Sequence, residues 1–362
     1  MLSREDNELL TRVGPGTPMG EYVRRFWIPV ALSAELPEPD GDPRRVRLLG
    51  QDLVLFRDTK GRVGLIDEHC PHRLASLYFG RNEECGIRCI YHGWKFDVSG
   101  ACVDMPSEPP TSNFKHKIRA TAYPTRERGG LIWGYLGPPE TIGDFPAFEW
   151  LDLPPSHLYA SRWQTECNFV QAMEGEMDTS HVGFLHSRVD RLAEDKMQLT
   201  GAFFHEDRAP KFHIERTAYG MVAAGRRDVE GDKSFWRMNQ LLLPFYSMIP
   251  PVPGNALLTR AWYRAMTKRA GSFVSATDPT GRSTMMSSRA GVRALTPTAR
   301  SCPAPPGRAF IATKITCRTG GCSAPSPSLA SRACETKMHA SPKVRVPSST
   351  APASISAPPT LP

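Results

Sequence analysis

Four residues of types that bind metals fall in one short stretch, CPHRLASLYFGRNEECGIRCIYHGWKFD: Cys70 and His72 form a C-x-H pair, Cys89 and His92 a C-x-x-H pair, with 16 residues between the pairs. Two thiolates and two imidazoles can hold a zinc ion or a [2Fe–2S] cluster. Zinc fingers keep their cysteines together and their histidines together, whereas each pair here is mixed. Mixed pairs on two loops suit a cluster in which one iron takes both sulfurs and the other both ring nitrogens. Imidazoles in place of thiolates leave such a cluster less negative and raise its potential, so that it can accept and pass on one electron at a time. The neighbours have plainer readings. Cys85 reads as a buried thiol, Trp94 as packing that shields the loop from water and His69 as an ordinary loop residue. Tyr91 reads as packing or as a hydrogen-bond donor near the pairs.

A second constellation lies in CNFVQAMEGEMDTSHVGFLHS. Gln171, Glu174, Asp178 and His181 stand at i, i+3, i+7 and i+10, which on a continuous helix is one face. His186 comes five residues after His181, so a regular helix would point it about 140° away. Gly183 between them offers a place for a kink or widened turn that could bring both rings to one point. Taken alone, D-x-x-H-x4-H fits histidines packed on an ordinary helix as well as a metal site.

These residues need elements to position them. SREDNELLTRV at residues 3–13 reads as a short amphipathic helix with Ser3 as N-cap and acids in its first turn. From Arg45 the pattern changes to short alternating runs, RVRLLG, DLVLFRD, RVGLIDEHC and later GGLIWGYLG, separated by turn residues, which is antiparallel β. LGPPE and LDLPP suggest a boundary near residue 155. A helical stretch follows, then strand-like KFHIERTAYGMVAAG and NALLTRAWY, so the second region reads as α+β.

At 362 residues the chain has room for two domains with real cores. It has no stretch near the roughly 20 apolar residues of a membrane helix and no basic-then-apolar leader. Its nine cysteines are too sparse for a disulfide scaffold. A cytoplasmic protein with reduced thiols and no membrane partner is expected. The net charge of +8 does not imply nucleic-acid binding, because the basicity belongs to the tail. Residues 1–262 carry 31 Lys and Arg against 35 acids, and residues 263–362 carry 14 against two, Asp278 and Glu335. That tail also lacks Trp and holds 13 of the 34 prolines, a composition that is hard to fold.

The loops CPHR and CxYHGWxF resemble the Rieske signature, and no extra cysteine stands in CPHRLAS or CIYHGW, unlike the disulfide-bearing Rieske loops of membrane complexes. NFVQAMEGEMDTSHVGFLH resembles the mononuclear-iron motif of the Rieske non-heme iron ring-hydroxylating oxygenases. With GPGTPMGEYVRRFWIPVALSAELPEPD and RLLGQDLVLFRD it looks closest to the single-component α-type oxygenases of the phthalate 4,5-dioxygenase-like group. The resemblance covers about residues 1–262. It implies an α+β chain with a Rieske antiparallel β domain at 1–155 and a helix-grip (START-like) catalytic domain, only partly present, at 156–262. By it, Cys70, His72, Cys89 and His92 hold a Rieske [2Fe–2S] cluster. His181 and His186 are two ligands of a mononuclear Fe(II) whose third is a carboxylate far downstream. Asp178 links an iron ligand to a Rieske histidine of a neighbouring subunit, which would be His92. The implied assembly is a head-to-tail homotrimer. The implied activity is that of a terminal oxygenase using O2 to hydroxylate an aromatic substrate, carboxylated or not. Electrons would come from NADH through a separate flavin and iron–sulfur reductase, since no dinucleotide-binding glycine fingerprint is present. Aryl-ether O-demethylation and simple electron carriage use the same parts and remain open. Arg226, Arg227 and Arg237 are the candidates to pair with a substrate carboxylate.

The third iron ligand is missing from its expected context. Glu335 stands at about the right distance, but SRACETKMHAS around it does not match. Back-translating PKVRVPSSTAPASISAPPTLP with GC-rich codons and reading from each third base gives EGSGPIVDRTREHLGTTDAA, which is family-like. The same shift turns WYRAMTKRAGSF into WVPRDDEACWVF. The synonymous third bases were chosen to give this; the second and third bases of each shifted codon were not free. Residues 263–362 therefore read as a frameshifted stretch, one nucleotide having been lost near codons 262 and 263.

Overall fold

The computed structural model describes residues 2–185, 207–229, 231–250, 257–266, 269–277 and 312–313. All of these fall within one unit, Met1–Thr316. The chain opens as expected with helix α1, Arg4–Thr11, where the Ser3 hydroxyl accepts the Asp6 N–H at 3.0 Å. This helix buries nothing. Helix α2, Pro18–Val23, follows behind a Thr17 cap with proline in its first turn.

The expected strands form three small antiparallel sheets. One orders Arg44–Leu48, Gln51–Arg57, Val63–Asp67 and Ala122–Tyr123. The second orders Arg81–Glu83, Gly86–Arg88, Lys95–Phe96 and Cys102–Asp104, and the third joins Trp27–Leu32, Leu131–Tyr135 and Thr125–Arg128. The side-chain period of two explains why the strand Gln51–Arg57 reads as an unbroken apolar run. Leu53 and Leu55 enter one core, while Val54 and Phe56 enter the other. Leu65 and Ile66 on the next strand divide in the same way. The smaller core packs Phe56, Leu77, Ile87, Trp94 and Phe96 around Cys70 and Cys89, so both loops that carry the first constellation are rooted in it.

The second region is an eight-stranded sheet in the order Lys211–Thr217, Gly220–Val229, Lys233–Leu242, Tyr246–Ile249, Leu257–Met266, Arg269–Thr277, Leu158–Thr165 and Ala312–Thr313. All pairs are antiparallel except the last. Helix α3, Phe169–Met177, lies against one face and buries Phe169, Met173 and Met177, spaced by four. The change of sheet near residue 155 is not a break in the core. Trp27, Trp133 and Tyr135 from the first region share a cluster with Phe169, Phe245 and Trp262 from the second. The Tyr246 hydroxyl donates to the Trp27 carbonyl at 2.9 Å. The composition break after Trp262 falls inside the strand Leu257–Met266. Among the described residues no helix is long and apolar enough to cross a membrane.

Candidate metal centres

The two mixed pairs sit on two similar loops. In the first, the Cys70 N–H donates to the Ala75 carbonyl and the Leu74 N–H to the Cys70 carbonyl, both at 2.9 Å, with Leu74 at φ +57°. In the second, the Cys89 N–H donates to the Trp94 carbonyl at 2.8 Å and the Gly93 N–H to the Cys89 carbonyl at 3.0 Å, with Gly93 at φ +76°. Each loop opens on its cysteine and closes on a left-handed residue. A β-carbon on Gly93 would lie 2.5 Å from the Pro106 ring, so glycine is required by close approach as well as by φ.

The loops set the Cys70 thiol beside that of Cys89 and the His72 ring beside that of His92. The Cys70 and Cys89 thiols are buried, and the His72 and His92 rings, which are half-buried, lie 4.5 Å apart, centroid to centroid. Trp94 stacks on His72 at 4.2 Å and 7° and shields it, as expected, while Tyr91 lies on His92 at 4.0 Å. Burial pushes the Cys70 thiol up to about 11 with Cys89 beside it, against the N–H groups of His72 and Arg73 that point at the sulfur. Burial also lowers His72, and His92 acts the same way. Nδ1 of His72 is buried without a hydrogen-bond partner in the chain. A buried imidazole nitrogen with no partner, on the same pair of loops as two buried thiols, fits a group that binds both sulfur and nitrogen. Among the described residues no three His, Cys, Asp or Glu side chains converge as a single-ion site, and a cluster with two protein ligands per iron does not need one. Cys85 departs from the expected buried thiol: it is half-buried at φ +63° in a tight turn.

The second constellation differs from the sequence reading. Helix α3 stops at Met177, and Asp178 is extended at φ −76°, ψ 120°. Gln171 and Glu174 point to solvent, and the four residues do not share one helical face. The break comes from Asp-Thr-Ser chemistry, in which short polar side chains compete for the backbone. Asp178 accepts the Ser180 N–H at 2.7 Å and the Ser180 hydroxyl. The buried Arg227 fork holds Thr179, donating to its hydroxyl at 3.2 Å and its carbonyl at 2.6 Å. Gly183 is buried within the short helix α4, Val182–Leu185. The turn carries the His181 ring back to Asp178, with Nδ1 3.2 Å from Oδ2. Burial alone would raise the Asp178 carboxyl, but bonds from Ser180 and His181 outweigh it and hold it below the ordinary range. His186 and Glu335 lie outside the described residues.

By register, Trp163, Trp262, Arg260, Ser247, Asn239 and Arg237 share the sheet face beneath α3. Asn239 ties this face to the helix by donating to the Glu176 carbonyl at 2.9 Å. The three candidate arginines separate. Arg226 is on the opposite face, paired with Asp228 at 3.5 Å, and Arg227 is occupied in holding Thr179. Arg227 and Arg237 share the inner face, and Arg237 is brought down to about 10 first by burial and next by Arg227, with Glu176 opposing. Sequence reasoning missed the buried ion pair of Arg260 with Glu176, in which Arg260 also lies 5.5 Å over the Trp163 ring. Burial raises the Glu176 carboxyl, and Arg260 then Arg237 pull it back.

Residues 26–115 match the Rieske [2Fe-2S] domain family, and residues 134–259 match the LigXa C-terminal domain like family. The oxygenase subunit of phthalate 4,5-dioxygenase from Pseudomonas putida is 45% identical over 263 residues, covering 69% of this chain and 59% of that relative. Phenoxybenzoate dioxygenase subunit alpha from Ectopseudomonas oleovorans is 36% identical over 294 residues, covering 73% of this chain and 69% of the relative. This chain belongs to the Rieske non-heme iron ring-hydroxylating oxygenase family.

A crystal structure of dicamba monooxygenase bound to 3,6-dichlorosalicylic acid has a TM-score of 0.59 at 20% identity, covering 77% of this chain and 84% of that one, and so shares the fold. The first family match takes in both mixed loops, and the second takes in Asp178, His181 and His186. As the oxygenase family implies, the chain carries a Rieske [2Fe-2S] domain and is mixed α+β with mostly antiparallel sheets. It spans 59% of the phthalate dioxygenase relative's length.

Proposed function

We propose that this chain is the terminal oxygenase of a Rieske system that hydroxylates an aromatic carboxylate with O2 and NADH-derived electrons from a separate reductase, in the cytoplasm. One observation carries the reading: two imidazole rings 4.5 Å apart and two buried thiols, on a pair of loops rooted in one core. Cys70, Cys89, His72 and His92 would hold the cluster, and His181 with His186 and a downstream carboxylate would hold the ferrous ion. When bound, these groups supply electrons one at a time for O2 activation. Asp178 accepts from His181 Nδ1, which fixes the tautomer and makes Nε2 the metal-side nitrogen. Arg237, on the inner face with Trp163 and Trp262, is the cation for the substrate carboxylate, and the aromatic rings supply the apolar walls.

A head-to-tail homotrimer is supported by two exposed apolar patches. Leu74, Ile90 and Tyr91 surround the cluster loops, and Phe184 with Leu185 follows His181. Their contact between copies would put His92 of one beside Asp178 of the next. The tail beyond Trp262 is read as frameshifted, and resequencing across those codons decides it. As written, the chain should bind a cluster, retain mononuclear iron poorly and turn over little. The frame-corrected protein, given reductase, NADH and Fe(II), should consume O2 and release a hydroxylated product. Formaldehyde from an aryl methyl ether would instead identify an O-demethylase, and cluster reduction with no product would leave only an electron carrier. Asp178→Asn should keep the cluster's visible spectrum and lose O2 uptake; unchanged uptake would refute the linking role.

A further inference from the structure

We propose that Arg88 is a positioning residue that locks the second cluster loop and balances the charge beneath it; this rests on the reading that Cys89 and His92 are cluster ligands. Arg88 ends the strand Gly86–Arg88, immediately before Cys89, and is 9% exposed. Its guanidinium donates from Nε to Glu83 at 2.5 Å and from Nη1 to Asp104 at 2.7 Å and to the Gly93 carbonyl at 2.8 Å. Nη2 lies 3.6 Å from Glu84. One planar fork thus joins the turn after Arg81–Glu83, the strand Cys102–Asp104 and the peptide that follows His92.

The bond to Gly93 is the informative one. The Gly93 N–H already closes the loop onto the Cys89 carbonyl, so with Arg88 on its carbonyl Gly93 is held through both backbone groups, directly after His92. The first loop has a counterpart of opposite sign. Glu68, two residues before Cys70, accepts from Ser76 at 2.5 Å at the loop's far end and from Arg45 at 2.5 Å. Both loops are therefore fastened across their bases by a charged side chain just ahead of the cysteine.

Charge gives Arg88 a second effect. Around it stand Glu83, Glu84 and Asp104, and the other cations on this group are Lys95, 2.7 Å from Glu84, and the exposed Arg81, 3.1 Å from Glu83. Arg88→Gln leaves three carboxylates facing two cations, Lys95 and Arg81, at the base of the ligand loop. A more negative surrounding disfavours the added electron and lowers the potential of a cluster. Arg88→Lys keeps the charge but cannot bridge the same partners.

The test is anaerobic reconstitution of the full chain, followed by a redox titration monitored by electron paramagnetic resonance and by the rate of visible bleaching in chelator. Arg88→Gln should shift the one-electron reduction equilibrium about tenfold toward the oxidised state, ~59 mV. Both variants should lose the cluster about tenfold faster, in the range seen for groups that orient ligands. Arg88→Lys should keep the wild-type potential. Arg57→Gln, which breaks an ion pair elsewhere in the same module, should lower the melting temperature and leave the potential unmoved. If Arg88→Gln does not fold, a wild-type bleaching rate in Arg88→Lys overturns the proposal. Wild-type potential and bleaching in a folded Arg88→Gln overturn it too. A wild-type chain that takes up no cluster defeats the ligand assignment itself, and the proposal with it.

Discussion

Gly93→Ala is the sharpest test of how the second ligand loop is built. Gly93 has φ +76°, and an added β-carbon would meet Pro106 Cγ at 2.5 Å and Cδ at 3.3 Å. The left-handed conformation costs an L-residue about 1–2 kcal/mol. The contact adds about 1–3 kcal/mol, as for an extra carbon forced into a packed site, because a proline ring cannot rotate out of the way. The sum is about 2–5 kcal/mol. Gly61→Ala separates the two contributions, since Gly61 has φ +77° but open space where its β-carbon would go. It should cost only the conformational part, about 1–2 kcal/mol. Urea melts of both cluster-free variants give the difference, and bleaching of the reconstituted proteins in chelator shows whether loop strain reaches the ligands. Gly93→Ala should be the less stable by roughly 1–3 kcal/mol and should bleach faster. Equal stabilities would refute the packing argument, and equal bleaching would refute the link from loop to cluster.

Arg260→Met should destabilise the second region by about 3–5 kcal/mol, because it leaves Glu176 buried without its cation. The double change Arg260→Met with Glu176→Met should recover most of that in urea melts, and no recovery would mean the pair is not coupled. Glu127 accepts both Arg57 Nη atoms at 2.9 and 3.0 Å. Burial would raise its carboxyl, but the Arg57 bonds dominate and hold it below the ordinary 4.5. A depressed folded value contributes stability above the unfolded value and loses it as pH falls through the folded one. Glu127→Gln should therefore melt lower than wild type at pH 7, with the gap closing below pH 4.5; a gap that is constant with pH would contradict the pairing.

What the sequence made legible was local. The two mixed pairs, the Ser3 cap and the alternating runs each depend on residues within a few positions, and the fold places them as read. The break at Asp178 was hidden because helical periodicity continues through Asp-Thr-Ser, while the side-chain bonds to the backbone that end the helix leave no periodic trace. The ion pair of Glu176 and Arg260 joins residues 84 apart, and a helical glutamate reads as a solvated one. Arg226 and Arg227 show the same limit. Alternation says that they face opposite ways, but only the position of helix α3 says which of them is inside.

The central claim is that four side chains on two loops hold paired irons. Anaerobic reconstitution with iron and sulfide, read by visible absorption, electron paramagnetic resonance and metal content, tests it most directly. The account predicts a coloured protein with equal iron and sulfide, and a reduced signal that disappears in Cys70→Ser and His92→Ala. A colourless protein, or one that takes up zinc alone, would contradict it.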